Sequence, residues 1–199
     1  MMVEDYSFEE GFMVDGSVVI FPTDTVYGLA ARLYDIDAYK KIEAIKSGET
    51  IKYAILCDTL VSVNDLVIID ERAKKLMMAF WPGPLTIILR SSRSHYEKTG
   101  QKTIGVRIPN HNAAIRLIKK NGPLLTTSVS VDEKPLLTIE AIKKHYDNRV
   151  DYIYEEYNAY YLNVTSTTID LSEPTIKYLR IGTISKADIE SVIGQDFQI

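Results

Sequence analysis

Cysteine is almost missing from this 199-residue chain, with Cys57 the only one. That excludes an internal disulfide and a cysteine-based zinc cluster, and it suits a reducing compartment, so a cytoplasmic location is expected. Histidine is scarce as well. His95, His111 and His145 lie in separate polar stretches without metal-ligand spacing, so surface or capping roles are expected for them and no protein-held metal site is. No apolar run approaches the roughly 20 residues that cross a bilayer, and the opening "MMVEDYSFEEGF" is acidic where a signal peptide would be basic and then apolar. No membrane contact is expected. Positive charge is not in excess: 23 Lys and Arg against 27 Asp and Glu leave a net charge of −4, which weighs against broad nucleic-acid binding but leaves room for a local basic groove. There is also no GxxxxGK[ST] P-loop, no GxGxxG fingerprint and no GxSxG nucleophile elbow.

What is present is an ordinary globular composition, 46% hydrophobic and 25% charged, long enough for one domain to bury its own core. A single domain over residues 1–199 is expected. Apolar runs alternate with helical patterns. "SVVIFP", "YAILC", "PLTIILR", "TIGVRI", "PLLTTSV", "STTIDL" and "TIKYLR" read as strands, the last two as a candidate hairpin. "DIDAYKKIEAIKSG" reads as a helix with an Asp cap and a stop near Gly48, and "NHNAAIRLIKKNG" as a helix between an Asn cap and a Gly stop. "DERAKKLMMAFW", "TIEAIKKHY" and "SKADIESVIG" supply three more. The order predicts an α/β domain around a twisted mixed sheet with flanking helices. Thirteen tyrosines are many, and "YIYEEYNAYY" (152–161) reads as a surface or edge segment, since no basic residues interleave its rings as a base-stacking platform would require.

Short polar groups gather after the strands, where α/β folds place ligands. "PTDT" follows the first strand, "TTSVS" (126–130) and "TSTT" (165–168) cluster hydroxyls, Lys46 ends the first helix, and Arg107 interrupts the apolar "GVRIP". Taken singly, each has an ordinary explanation. Asp24 closes an Asx-turn, Lys46 complements a helix C-terminus, and Arg107 pairs with a structural carboxylate. Together they describe a pocket for an anionic, hydroxyl-rich ligand.

"FPTDTVYGL", "WPGPLTIIL", "GVRIP", "TTSVS", "STTIDL" and "LRIG" occur in the order and approximate spacing of the YrdC-like threonylcarbamoyl-AMP synthases, and the resemblance runs from about Gly16 to Ile193. The chain resembles the short, single-domain members. The resemblance implies a twisted open mixed sheet with a concave ligand-binding surface. It implies synthesis of L-threonylcarbamoyl-adenylate from L-threonine, bicarbonate and ATP with Mg²⁺, releasing pyrophosphate, and hand-off to a transferase that modifies adenosine 37 of tRNA. Contact with tRNA, a double-stranded RNA, belongs to the same implication, although the net charge does not support it. Thr25, Arg107, Thr126 and Ser166 match threonine-binding positions, with Arg107 on the threonine carboxylate. Ser128, Ser130 and Arg180 match ATP-binding positions, and Lys46 matches an ATP-binding and catalytic one. Gly28 is expected to let the chain bend away after the threonine-side wall.

The chain also departs from the family pattern. The Lys-x-Arg motif reads across Lys46, Ser47 and Gly48, with glycine for arginine, and the Ser-x-Asn motif across Ser128, Val129 and Ser130, with serine for asparagine. Cys57 stands where some members carry histidine. Lys52 or a re-registered loop are two ways to replace the arginine; a third outcome is a member that binds nucleotide or threonine yet catalyses poorly, and the alternative function is a diverged nucleotide- or RNA-binding protein with weak or no synthesis. An enzyme adenylating or hydrolysing another carboxylate is a further alternative.

Overall fold

The computed structural model describes residues 10–155 and 164–194, so most of the tyrosine-rich stretch after residue 155 lies outside it. Strands β1 (Val19–Phe21), β2 (Gly28–Arg32), β3 (Ala54–Leu56), β4 (Leu85–Arg90), β5 (Thr103–Arg107) and β6 (Leu124–Ser128) are joined by helices α1 (Ile36–Ile45), α2 (Leu60–Asn64), α3 (Glu71–Phe80), α4 (Arg93–Thr99) and α5 (Asn112–Asn121). A short hairpin, β7 (Ser130–Val131) and β8 (Lys134–Pro135), then leads to α6 (Ile139–Tyr146), β9 (Tyr152–Ile153), β10 (Thr167–Asp170), β11 (Lys177–Arg180) and α7 (Lys186–Ile193). All the expected strands and helices form. Sequence reading missed β2, α2, α4 and the β7–β8 hairpin, each short or rich in small and polar residues that blur periodicity, and read the two-residue β9 only as part of a surface or edge segment.

The helices start where side chains satisfy their first N–H groups. Asp35, Asp70, Thr59, Ser92 and Thr138 accept from the backbone three residues on, and Ser185 with Asp188 forms a capping box. The expected Asn cap on α5 is wrong by one residue. His111 occupies the N-cap and its side chain makes no capping bond, while Gly122 does end the helix.

Nine strands form one sheet in the order β11-β10-β4-β5-β3-β6-β2-β1-β9. Five pairings are antiparallel and three parallel, so the mixed sheet is as expected, and β10–β11 is the anticipated antiparallel pair, with a bulge at Thr168/Ile169. Alternation along each strand separates two faces. One face carries Ile20, Leu29, Ile55, Leu125, Val106, Ile87 and Ile169 under α1, α3, α6 and α7. The opposite face carries Val19, Phe21, Ala30, Leu124 and Leu56 under Ala114, Leu117 and Ile118 of α5. Continued across β5, β4, β10 and β11, that second face changes from apolar to polar, with Arg107, Thr86, Thr168 and Arg180 on adjacent strands. No helix among the described residues is long and apolar enough to cross a membrane.

Two expectations fail in this core. Gly28 does not bend the chain away; it opens β2, paired with Phe21 and Ser128. Glycine is required there by crowding, since a Cβ would lie 2.7 Å from the Thr126 methyl and 3.2 Å from the Phe21 ring. His95 is not a surface or capping residue. It is 1% exposed within α4, with its Nδ1 3.0 Å from the Tyr34 hydroxyl. His145, by contrast, is exposed as expected.

Gly28→Ala is expected to cost about 1–3 kcal/mol in urea unfolding, the usual range for overpacking. Adding Thr126→Ser removes the colliding methyl and should restore part of that loss, so strict additivity in the double mutant would refute the crowding account. Burial pushes the His95 imidazole below its ordinary value of 6.5, with Lys98 adding to the effect. The fold favours the neutral ring, so the unfolded chain binds more protons in this range and stability falls as pH drops below 6.5. Denaturation of His95→Gln between pH 7 and about 5 should show a shallower acid-side fall than the parent.

Candidate functional site

The "PTDT" turn is closed by Thr23 rather than Asp24. The Thr23 hydroxyl donates to the Val26 carbonyl at 2.6 Å and accepts from the Thr25 N–H at 3.2 Å. That leaves Asp24 and Thr25 free to meet Arg107, which reaches them from the end of β5. Arg107 donates through Nη2 to Asp24 Oδ1 at 2.5 Å, through Nη1 to Thr25 Oγ1 at 3.0 Å, and through Nε to the Gly83 carbonyl at 3.0 Å. The residue is 5% exposed. Burial lowers the affinity of its guanidinium for the proton, and the Asp24 charge acts against that.

The "WPGP" loop supplies the third of these contacts and ties neighbouring strands together. The Trp81–Pro82 peptide bond is cis, and a side chain at Gly83 would meet the Phe80 carbonyl at 2.3 Å. Gly83 N–H donates to the Ile108 carbonyl, and the Pro84 carbonyl accepts from Thr167 N–H, both at 2.9 Å. Beside this loop Ser166 Oγ lies 2.9 Å from Thr86 Oγ1. Arg180, half-buried at the end of edge strand β11, donates to the Ser166 carbonyl (2.9 Å), Ser166 Oγ (3.0 Å) and Thr168 Oγ1 (3.2 Å). Gly182 lets the chain pass close behind Ser166, since a Cβ there would sit 1.9 Å from the Thr165 carbonyl.

Arg180 is held by neutral oxygens, and among the described residues no carboxylate pairs with it. Its proton affinity is lowered first by burial and then by the charge of Arg107. Two guanidinium groups therefore act on each other, and the one carboxylate of this corner, Asp24, pairs with Arg107. This corner has an excess of positive charge in partly dehydrated surroundings, the setting in which Arg binds carboxylate or phosphate most strongly.

A second cluster surrounds Lys46 at the C-cap of α1. Its ammonium donates to Glu49 Oε2 (2.9 Å), the Ser130 carbonyl (2.9 Å) and Ser130 Oγ (2.5 Å), and its side chain is 2% exposed. Ser130 Oγ donates on to Glu49 at 3.1 Å, and the Tyr146 hydroxyl donates to the Ser130 carbonyl at 2.6 Å. Burial alone would raise the Glu49 carboxyl, but hydrogen bonding and charge from Lys46, with Ser130 and the Glu133 backbone, hold it below the ordinary carboxylate range. Three acceptors thus occupy all three ammonium donors.

Of the residues singled out from sequence, the structure joins Thr25 to Arg107, Ser166 to Arg180, and Lys46 to Ser130. Thr126 lies on the same sheet face as Arg107, its hydroxyl turned to the Leu124 carbonyl at 3.2 Å, and Ser128 sits half-buried opposite Gly28. Lys52 is exposed, and Cys57 is fully buried with its thiol pushed up to about 12, chiefly by burial. Sequence reading included Thr168 in the "TSTT" hydroxyl cluster but missed Thr86 and Glu49 as parts of these clusters, and it gave Asp24 only a local role. Thr86 did leave a signal, a polar residue breaking an apolar strand; Glu49 left none. His, Cys, Asp and Glu do not gather in threes at metal-binding distance among the described residues.

A family model described as telomere recombination, covering the Sua5, YciO and YrdC proteins, matches residues 12–182. The chain belongs to the Sua5/YciO/YrdC family. It is 33% identical over 193 residues to the threonylcarbamoyl-AMP synthase of Pyrococcus abyssi, covering 93% of this chain and 56% of that protein. With the Bacillus subtilis threonylcarbamoyl-AMP synthase the identity is 35% over 187 residues, covering 90% and 54%. The chain thus spans about half the length of these two relatives. Among solved structures, P. abyssi Sua5 complexed with L-threonine superposes with a TM-score of 0.84 at 33% identity, covering 94% of this chain and 56% of the other. Escherichia coli YciO gives 0.77 at 27% identity, covering 87% of each chain.

The family's missing arginine also has a local reason. Glu49 N–H donates to the Lys46 carbonyl at 2.9 Å, closing a turn whose third residue, Gly48, has φ +88°. The loop is built around a conformation that disfavours any L side chain. Restoring the arginine by Gly48→Arg should therefore lower stability in urea by about 1–2 kcal/mol, and unchanged or raised stability would refute this reading of the loop.

Proposed function

We propose that this chain makes L-threonylcarbamoyl-adenylate from L-threonine, bicarbonate and ATP, releasing pyrophosphate. The observation that carries the proposal is the Arg107–Arg180 corner, with its surplus positive charge, its ring of Thr25, Thr86, Ser166 and Thr168 hydroxyls, and one internal carboxylate. Supporting it, P. abyssi Sua5, similar over 94% of this chain, has been solved with L-threonine bound.

In this reading Arg107, Thr25, Thr126 and Ser166 hold threonine, with its carboxylate on Arg107. Arg180, Ser128 and Ser130 face the nucleotide. The neutral threonine amine forms a C–N bond to the bicarbonate carbon as a C–O bond breaks and water leaves, giving a carbamate whose oxygen attacks the α-phosphorus as pyrophosphate leaves. Both partners in that step are anions, so fixed cations near the developing charge lower the barrier, and alignment contributes much of the rest. Mg²⁺ would enter as the companion of ATP. It would supply charge neutralisation on the phosphates. Lys46 reaches a phosphate only by giving up Glu49 or Ser130 as partners, so its part requires a local rearrangement. The product is a reactive mixed anhydride, which calls for a threonylcarbamoyl transferase acting on tRNA in the same compartment, here the cytoplasm.

Pyrophosphate release from purified protein with ATP, Mg²⁺, bicarbonate and L-threonine tests the proposal. Release should require threonine, and Arg180→Gln should lower kcat/KM by about 10²–10³ without loss of fold, the scale for one preorganised electrostatic donor. A folded wild-type sample without threonine-dependent release would overturn it.

A further inference from the structure

We propose that Asp24 recognises the substrate amine, so that the Asp24–Arg107 pair reads both charges of an α-amino acid; this rests on the threonine reading above. Asp24 is 8% exposed. Its Oδ1 accepts from Arg107, while Oδ2 is buried without any hydrogen-bond partner. A buried carboxylate oxygen with no donor is costly, and native structures keep few of them without a role. No turn requires Asp24, because Thr23 closes the loop around it. A counter-ion for Arg107 alone would be satisfied through Oδ1.

The geometry suits a zwitterion. In an α-amino acid the carboxylate and the ammonium are separated by a single carbon, and here a guanidinium and a carboxylate lie in direct contact. Arg107 uses three of its five N–H donors on Asp24, Thr25 and Gly83, which leaves two for an incoming carboxylate. A ligand carboxylate on those donors brings the amine beside Asp24, whose second oxygen accepts from it. The contact outlasts the first chemical step, because the nitrogen bears an N–H as ammonium, as neutral amine and as carbamate.

Calorimetric titration of the full chain with L-threonine and with 3-hydroxybutanoate of matching configuration, which lacks only the amine, reads this contact directly. The wild type should prefer threonine by about 100-fold, the scale of a charge-assisted hydrogen bond in a site that excludes analogues lacking the donor. In Asp24→Asn the preference should fall below about tenfold. A purely structural Asp24 would weaken both ligands alike and keep the preference, which would overturn the proposal. Equal binding of the two ligands by the wild type would overturn it and leave the threonine site standing, whereas no threonine binding at all would overturn both. If the Asn variant does not fold by circular dichroism, Asp24→Glu keeps the charge beside Arg107 but displaces the oxygen, and an undiminished preference in that variant refutes the proposal equally.

Discussion

An arginine only 5% exposed, Arg107, is the constraint around which this site is organised. Such a charge is tolerated only when its donors are met, and removing one partner from a buried pair typically costs about 3–5 kcal/mol. Arg107 meets that demand with three groups from two loops that are distant in sequence: Asp24 and Thr25 of the first polar turn and the Gly83 carbonyl of the "WPGP" loop. The shape of both loops follows. Thr23 has to close its own turn so that its neighbours face the arginine, and residue 83 has to be glycine so that its carbonyl reaches Nε without collision at Phe80. The motifs that look most distinctive in the sequence are thus two parts of one cradle.

The fold was largely legible because its core strands and longer helices are strongly periodic. Val19 to Phe21 and most of Leu85 to Arg90 are short buried runs, and the helix from Glu71 places Ala73, Leu76 and Met77 at helical spacing. Reading failed where function or crowding replaced periodicity. β2 reads "GLAAR", too small and short to announce a strand, because the Thr126 methyl and the Phe21 ring leave no room at its first residue. His95 looked like a surface residue because its neighbours are polar, and only the three-dimensional approach of Tyr34 shows it buried. At the site, Arg107 was legible as a charge in an apolar strand, but its partner Asp24 was not, since an acid in a turn has a common local explanation. Thr23 has taken that local role instead.

The two charged clusters differ in what they leave unspent. Around Arg107 and Arg180 the charges do not balance, and the closest groups are hydroxyls, which accept from a cation and can equally donate to an anion. Around Lys46 every ammonium donor has an acceptor and Glu49 cancels the charge. Anion binding is favoured at the first cluster as it stands. At the second it must compete with a carboxylate already in place.

That difference bears on the substitution at Gly48. An arginine lost from this loop would by itself mean only a missing donor, with the rest of the loop unchanged. The turn argues otherwise. Gly48 at φ +88° brings Glu49 back over Lys46, and Ser130 stands where its hydroxyl joins both. The two departures from the family pattern, Gly48 and Ser130, therefore meet in one hydrogen-bonded unit rather than standing as independent losses. The corner where the resemblance implies two cations is, in this chain, a neutral and internally satisfied unit. Any anion that binds at Lys46 has to take the place of Glu49 or Ser130, so the energetic demand of binding there is set by this hydrogen-bonded cluster.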